Sequence, residues 1–251
     1  MIHPKFYARL KRKVFRKYHL YPAVIQHCKR CKSESPPRVD IVQDAIPKII
    51  HYCWFGRNAD SKMKIMCMES WEKYCPDYKF QLWNEDNFPF DEYPFAKQAL
   101  ADKKWAYISD VARLHSLYYF GGIYMDTDVQ VFQPIDQFLN EDFFSGYETP
   151  RKIPTAIMGS RAGNKYLGKL LLWYIGKSYS KAFYKVPNVK IISKFTERYY
   201  DVKLDGNEFS LPDGAHFYPS EYFCHPVSGS GNSYTQHHFD GSWVNAEDMV
   251  D

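Results

Sequence analysis

Short apolar runs alternate with longer amphipathic segments from residue 45 onward. The runs predict strands at 45–56, 78–84, 122–132, 142–148 and 155–160. Helical periodicity covers 61–75, 93–104, 105–120, 163–179 and 189–200. Strands that alternate with helices predict an α/β fold with a mostly parallel central sheet flanked by helices. Such sheets bind ligands beyond the carboxyl ends of their strands.

The first 33 residues have a different pattern, a basic helical arm with one apolar stripe. The stripe repeats every four positions, at Phe6, Leu10, Val14 and Tyr18. The arm holds ten of the 33 Lys and Arg residues and no acid, which leaves 23 basic against 29 acidic residues elsewhere. It either lies on an anionic membrane surface or docks its stripe on the protein body. The linker SESPPRVD then divides a predicted arm, 1–40, from a domain at 41–251.

Composition narrows the class of protein. The sequence shows no apolar leader and no run of about 20 apolar residues. This predicts a cytoplasmic protein whose cysteines are reduced thiols. If the arm binds lipid, the protein would be peripheral on the inner face of the cell membrane. The acidic body argues against nucleic acid as a partner. Cys28 and Cys31 form a lone CxxC with only His19 and His27 nearby, so a structural zinc site is the less favoured interpretation.

The stretch GGIYMDTDVQVF places Asp126 and Asp128 at the end of a predicted buried strand. Carboxylates two residues apart on a strand share a side and repel unless a cation lies between them. Mg²⁺ or Mn²⁺ suits such a pair and usually completes its shell with substrate phosphates. The alternative is an exposed turn with two solvated aspartates, and a DxD sequence alone is common by chance.

The neighbouring sequence strengthens the metal–phosphate interpretation. Asp110 and Arg113 are three residues apart on a predicted helix and share a face that is otherwise apolar. They either form an internal ion pair or point into the same pocket as the DxD pair. Gly121 and Gly122 would let the backbone turn tightly and approach a ligand.

A segment near the C-terminus adds further polar groups. In HHFDGSW, His237 or His238 would complete a Mn²⁺ shell, and Ser242 would bind phosphate or metal. The alternative for the histidine pair is surface decoration of a loop. An aromatic content of 18% suits stacking on sugars and bases, but composition alone favours a core filled with aromatic side chains.

Four segments together resemble the DxD glycosyltransferases of family 32, which include fungal initiating α-mannosyltransferases and bacterial capsule and O-antigen transferases. They are IPKIIHYCWFG, SWEKYCPDYKFQLWNEDNF, AYISDVARLHSLYYFGGIYMDTDVQVF and HHFDGSW. The catalytic core of the large glucosylating toxins is similar. The resemblance covers residue 45 to about 245 and implies a GT-A-type fold, a nucleotide-sugar donor, Mn²⁺ or Mg²⁺, and retention at the anomeric carbon.

The resemblance also implies roles for individual residues. For the donor, it assigns base stacking to Trp54, sugar and ribose contacts to Asp110 and Arg113, and the nucleotide site to Gly122 and Tyr124. For the metal, it assigns ribose or metal-bound water to Asp126, metal and diphosphate to Asp128, and the rest of the metal shell to His238, with His237 as second choice. Ser242 and Trp243 would bind the diphosphate. Thr155 stands where the family often has Asn, which puts that position's role in doubt. Glu148 is the one candidate nucleophile.

The implied reaction moves a sugar from a UDP-hexose or UDP-N-acetylhexosamine to a glycan or lipid-linked glycan, in capsule, O-antigen or other surface polysaccharide synthesis. Two alternatives belong to other classes. A non-catalytic carbohydrate-binding module would explain the aromatic residues but not Arg113 together with the DxD pair. A DxD-type phosphatase would need Thr or Val where Gln130 stands. An EF-hand calcium site is also excluded, because Val131 stands where its loop needs Gly.

Overall fold

The computed structural model describes residues 20–177 and 187–241. Its main sheet has seven strands in the order β2-β1-β3-β6-β5-β8-β7. The strands are β1 Ile49–Cys53, β2 Lys79–Trp83, β3 Gly122–Met125, β4 Val129–Val131, β5 Phe143–Gly146, β6 Ile157–Ser160, β7 Phe209–Ser210, β8 Ala215–Tyr218 and β9 Thr235–His237. The helices are α1 Tyr21–Ser33, α2 Lys62–Tyr74, α3 Pro94–Ala101, α4 Trp105–Phe120, α5 Lys165–Leu171, α6 Asn188–Tyr200 and α7 Ser220–Phe223. Strands β4 and β9 form a separate antiparallel pair.

Most strands of the main sheet run in one direction. Strand β1 pairs in parallel with β2 and β3, and β5 pairs in parallel with β8. Strand β6 is antiparallel to both β3 and β5, and β7 is antiparallel to β8, so five of the seven strands share a direction. The predicted α/β fold with a mostly parallel sheet is therefore confirmed, and it agrees with the GT-A-type fold that the resemblance implies.

The sheet separates two hydrophobic cores because side chains alternate along each strand. On β3, Ile123 and Met125 pack into one core together with Trp71 of α2. Tyr124 points to the other face and joins the core built on helix α4. Tyr124 therefore approaches the helix that carries Asp110 and Arg113, while the residues on either side of it do not.

The single strand predicted at 122–132 is wrong. The chain turns between β3 and β4, where the Val129 amide donates to the Asp126 carbonyl at 3.0 Å. Before the turn, the Asp126 amide donates to the Ala156 carbonyl at 2.7 Å and so extends the pairing with the segment before β6. The DxD pair thus lies in a corner at the carboxyl end of β3, where β4 leaves the main sheet to pair with β9. The helix predicted at 163–179 is also shorter, since α5 ends at Leu171.

Helix α1 docks on the body, while the amphipathic stripe predicted at the start of the arm lies outside the described residues. His27 donates to the Lys169 carbonyl at 2.8 Å, and Arg30 donates to the Leu172 carbonyl at 2.6 Å. Cys28 and Cys31 are buried against the same core, and burial raises the pKa of Cys31 to about 12. Among the described residues, the one cluster with the geometry of a metal site includes neither cysteine. The division into arm 1–40 and domain 41–251 stays a prediction.

None of the described helices has the length and apolarity needed to cross a bilayer.

Candidate active site

Two carboxylates and an imidazole converge at the corner after β3. One ligand atom each from Asp126, Asp128 and His237 lies within 4.8 Å of the other two. The register of the small sheet explains this, because Val129 is paired with His237 across β4 and β9. Pairing of segments more than a hundred residues apart thus brings the imidazole to the DxD turn.

Asp128 is held by contacts to two parts of the C-terminal segment. Its Oδ2 accepts the Asp240 amide at 2.9 Å, and its Oδ1 lies 3.4 Å from His237 Nε2. Burial alone would raise the pKa of Asp128, but the hydrogen bond and charge of His237 outweigh it and lower the pKa. For His237, burial would lower the pKa, and the two aspartates reverse that effect and raise it. The charge on each of these groups therefore favours the opposite charge on the other.

The preference for His238 as a metal ligand is corrected by the structure. Adjacent residues on an extended chain point to opposite sides, and His238 donates from Nε2 to Gln130 Oε1 at 3.0 Å instead of facing the aspartates. Its backbone amide donates to the Asp128 carbonyl at 3.0 Å, so the backbone of His238 stabilises the DxD turn while its side chain does not take part. The second choice, His237, is the residue that joins the pair.

Arg113 links helix α4 to the DxD corner. Its Nη1 lies 3.2 Å from Asp126 Oδ1 and donates to the Thr155 carbonyl at 2.6 Å. The guanidinium lies over the Tyr124 ring, 4.7 Å from its centroid, and the Tyr124 hydroxyl donates to Asp126 Oδ1 at 2.8 Å. Arg113 and Tyr124 thereby hold the Asp126 carboxylate in one orientation. Arg113 thus forms an internal ion pair with Asp110, and its guanidinium also contacts Asp126 of the DxD pair.

Asp110 lies deeper in the same network. Its Oδ1 is 3.5 Å from Arg113 Nη2 and accepts from Asn188 Nδ2 at 3.2 Å, and Tyr174 in turn donates to Asn188 Oδ1 at 3.2 Å. Burial, together with the charge of Asp126, raises the pKa of Asp110 to about 6 in spite of Arg113. Sequence reasoning missed Asn188 and Tyr174, because neither lies in a motif and only tertiary packing brings them to α4.

Trp54 follows β1 at the same edge of the sheet. Its Nε1 donates to the Asn58 carbonyl at 2.9 Å, and Lys64 Nζ lies over its ring at 4.3 Å from the centroid. Lys64 is only 5% exposed and forms an ion pair with Asp60 at 2.5 Å. One face of the indole is thus covered by a buried cation that sequence reasoning missed, since an isolated lysine in a helix gives no signal.

The predicted donor-binding role of Gly122 disagrees with its position. It begins β3, about 13 Å of extended chain before Asp126 at ~3.3 Å per residue. Its φ is +109°, and a Cβ there would lie 2.7 Å from the Ile49 carbonyl oxygen and 3.0 Å from His51 Nε2. The glycine is needed for close packing of β3 on β1, at the end of the strand away from the site.

The four remaining predicted positions are Glu148, Thr155, Ser242 and Trp243. Glu148, just after β5, forms an ion pair with Lys152 at 3.2 Å, and its charge contributes to the raised pKa of His237. Thr155 offers Arg113 its backbone carbonyl, a contact that does not depend on the Thr side chain. Ser242 and Trp243 lie outside the described residues.

Comparison with known proteins gives independent evidence for the same region. Residues 61–144 match the family model "Glycosyltransferase sugar-binding region containing DXD motif". Over 136 residues the chain is 32% identical to inositol phosphoceramide mannosyltransferase 3 of Schizosaccharomyces pombe. The matched region covers 49% of this chain and 35% of that protein. Over 142 residues it is 26% identical to mannosyl phosphorylinositol ceramide synthase SUR1 of Saccharomyces cerevisiae, covering 55% and 36%. The chain thus spans about a third of the length of these relatives.

Two glycosyltransferases of solved structure match parts of this chain. The PaToxG glycosyltransferase shares 17% identity with a TM-score of 0.48, covering 76% of this chain and 79% of its own. A glycosyltransferase involved in glycosylation of the PBCV-1 major capsid shares 16% identity with a TM-score of 0.38, covering 69% and 83%. On the sequence match, the chain carries the glycosyltransferase sugar-binding region that contains the DxD motif, and the family resemblance predicted from its residues is confirmed.

Proposed function

We propose that this chain is a metal-dependent, retaining glycosyltransferase that takes a sugar from a nucleotide-diphosphate donor. The observation that carries the proposal is the convergence of Asp126, Asp128 and His237 within 4.8 Å at the carboxyl edge of the sheet. A site of this kind in the DxD region of a glycosyltransferase family supports donor binding more than it supports a solvated turn. A carbohydrate-binding module does not account for Arg113 together with the pair, and a DxD-type phosphatase would need Thr or Val where Gln130 stands.

The residues present fit a divalent cation. Two carboxylates and one imidazole suit Mn²⁺ and Mg²⁺, with open positions left for phosphate oxygens. Asp126, Asp128 and His237 would hold the ion, which when bound would neutralise charge on the leaving diphosphate.

The side chains around the pair have distinct tasks in this proposal. Arg113 and Tyr124 fix Asp126, so little reorganisation is needed when the donor binds. Asp110 accepts hydrogen bonds from the sugar or ribose hydroxyls, and Trp54 stacks on the base. Retention arises either from attack on the same face as the leaving group or from two displacements. Glu148 is the candidate nucleophile for the second route.

The donor is proposed as a UDP-hexose or UDP-N-acetylhexosamine and the acceptor as a glycan or lipid-linked glycan. The names of the fungal relatives, inositol phosphoceramide mannosyltransferase and mannosyl phosphorylinositol ceramide synthase, favour a glycolipid acceptor and make an activated mannose the rival donor. A role in capsule or O-antigen synthesis stays a prediction from the resemblance.

Donor hydrolysis tests the proposal directly. The full chain is incubated with UDP-glucose, UDP-N-acetylglucosamine, UDP-galactose or GDP-mannose in Mn²⁺, Mg²⁺ or EDTA, and released nucleotide is measured. We expect hydrolysis of one donor that needs the metal, and loss of activity by about 100-fold or more in Asp128→Asn. His238→Ala is the matched control and retains activity, because that imidazole faces Gln130. If no nucleotide is bound or released with any donor, the transferase proposal fails.

We further propose that the protein works at the cytoplasmic face of a membrane, with the basic arm on anionic lipid. The charge of the arm and the lipid acceptors named for the relatives support this. Co-sedimentation with phosphatidylserine vesicles would compare the full chain with a variant lacking residues 1–19. Deletion stops there because α1, with Val24 and Cys28 buried, belongs to the core. Equal partitioning of the two proteins would remove the membrane proposal.

A further inference from the structure

A buried lysine lies between helix α2 and the loop that follows β1. Lys64 is 5% exposed, and its ammonium lies over the Trp54 ring, 4.3 Å from the centroid. The same nitrogen pairs with Asp60 Oδ1 at 2.5 Å, and the Asp60 side chain is 51% exposed. A lysine is rarely buried unless other groups replace the water around its charge. Here a carboxylate on one side and an indole ring on the other do so.

The position of Lys64 in α2 departs from the usual chemistry of a helix start. The helix begins at Lys62, and the N-cap residue Ser61 accepts the Lys64 amide on Oγ at 3.1 Å. Lys64 is therefore the third helical residue, where Glu or Gln usually completes a capping box. A cation in the first turn also opposes the helix dipole. Two local preferences are broken at one residue, and departures of this kind concentrate at functional sites.

The backbone around Trp54 is held by contacts that do not involve Lys64. The Trp54 amide donates to the Trp83 carbonyl at 3.0 Å, and the Gly56 amide donates to Glu85 Oε1 at 2.6 Å. Lys64 contacts the face of the Trp54 ring and not its backbone. The lysine therefore acts on the orientation of the indole, while the course of the loop is set by other groups.

The sheet topology places this indole beside the DxD corner. Strands β1 and β3 are parallel neighbours, so Trp54 after β1 and Asp126 after β3 leave adjacent strands at the same edge. Neighbouring strands lie only about 4.8 Å apart. Further along α2, Trp71 donates to the Val129 carbonyl of β4 at 2.7 Å. One helix thus carries the lysine under the indole and contacts the strand that leaves the DxD turn.

We infer that Lys64 is a positioning residue for the donor, because it holds the Trp54 indole in one orientation with one face covered. The nucleobase then stacks on the opposite face. The inference rests on the proposed function, in which Trp54 stacks on the base of a nucleotide-sugar. A cation is attracted to the face of an indole, and more strongly where water is excluded. A ring that is ordered before binding also spares the free energy of immobilising it when the ligand arrives.

Nucleotide binding tests the inference without catalysis. UDP and GDP are titrated into the full chain by isothermal titration calorimetry, in EDTA and in Mn²⁺. Lys64→Met keeps an unbranched apolar stem without the charge and should weaken binding of the preferred nucleotide about three- to tenfold in both conditions. Lys64→Arg keeps a cation on the ring and should stay within about twofold of the wild type. Asp60→Asn, at an exposed side chain, should weaken binding about twofold or more, because the ammonium is then drawn towards water.

Lys48→Met is the matched control. Lys48 Nζ lies 5.4 Å from the centroid of the Tyr78 ring and pairs with Asp77 at 2.5 Å, so it makes the same two kinds of contact. It precedes β1 and lies at the other edge of the sheet. We expect nucleotide affinity in this variant to equal that of the wild type.

The indole itself can be observed without any nucleotide. In protein labelled with 5-fluorotryptophan, the fluorine signal of Trp54 is assigned by its loss in Trp54→Phe. This signal should shift or broaden in Lys64→Met and should stay unchanged in Lys48→Met. An unchanged Trp54 signal in Lys64→Met, or unchanged nucleotide affinity in both Lys64→Met and Asp60→Asn, would overturn the inference.

Donor hydrolysis separates this inference from the proposed function. In Lys64→Met, KM for the donor should rise by the same three- to tenfold as the nucleotide affinity falls, while kcat stays within about twofold. A lower kcat with unchanged KM would overturn the positioning role. If the wild type binds a nucleotide but hydrolyses no donor, the transferase proposal is wrong and the binding data still decide the role of Lys64. If the wild type binds neither nucleotide, both proposals are wrong.

Discussion

The Asp110 carboxylate should make the folded protein less stable at neutral pH, and replacing it should show this. Asp110 is buried beside Arg113, and its pKa rises from 3.8 to about 6 mainly because burial penalises its charge. Asp110→Asn keeps the shape and a partner for Asn188 but removes the charge. Arg113 remains paired with Asp126 and with the Thr155 carbonyl in the variant. We therefore expect the variant to be more stable than the wild type.

The sign and size of the effect follow from proton linkage. A carboxyl group that binds its proton more tightly in the folded state stabilises the protein at low pH, and that stabilisation is lost as pH rises from about 4 to about 6. A shift of about 2 pKa units corresponds to about 3 kcal/mol at about 1.36 kcal/mol per unit. Asp110→Asn should thus raise the free energy of unfolding by up to about 3 kcal/mol at pH 7.5. At pH 5 about half of that difference should remain.

The assay is urea unfolding of both proteins in EDTA at pH 5 and pH 7.5, combined with donor hydrolysis. Donor turnover should fall about tenfold or more, because a hydrogen bond to a charged group is worth about 1.5–3 kcal/mol. A variant less stable than the wild type at pH 7.5, or a difference that does not grow with pH, would refute the reasoning. Asp110 would then act as a structural partner of Arg113.

Three further outcomes test the site and the core. In a thermal shift assay, Mn²⁺ at about 100 times its Kd should stabilise the wild type by about 2.7 kcal/mol; Asp128→Asn should lose this effect, and His238→Ala should keep it. Trp71→Phe removes the indole that donates to the buried Val129 carbonyl at 2.7 Å. It should lower the free energy of unfolding in urea by about 2 kcal/mol, and a change below about 0.5 kcal/mol would contradict the packing. Gly159→Ala would place Cβ 2.0 Å from the Phe144 ring and should lower stability by about 2 kcal/mol or more, seen as a lower melting temperature; an unchanged one would contradict that contact.

Local patterns were sufficient for much of the architecture. The predicted strand at 78–84 is β2, and the predicted helix at 105–120 is α4, since hydrophobic periodicity records which face of an element is buried. Asp110 and Arg113 were placed in one network by their i, i+3 spacing alone. The same reasoning failed at 122–132, because an apolar run does not reveal that the chain leaves one sheet and joins another.

Contacts between segments that are distant in the sequence decided which residues complete the site. Whether His237 or His238 meets the aspartates depends on the register of β9 against β4, and a shift of one residue would exchange the two faces. Asn188 and Lys64 reach the site only because their helices pack beside it. The sequence by itself determined the α/β class and the DxD pair, since both depend on short spacings, while strand register and helix packing decided which imidazole, amide and cation complete the site.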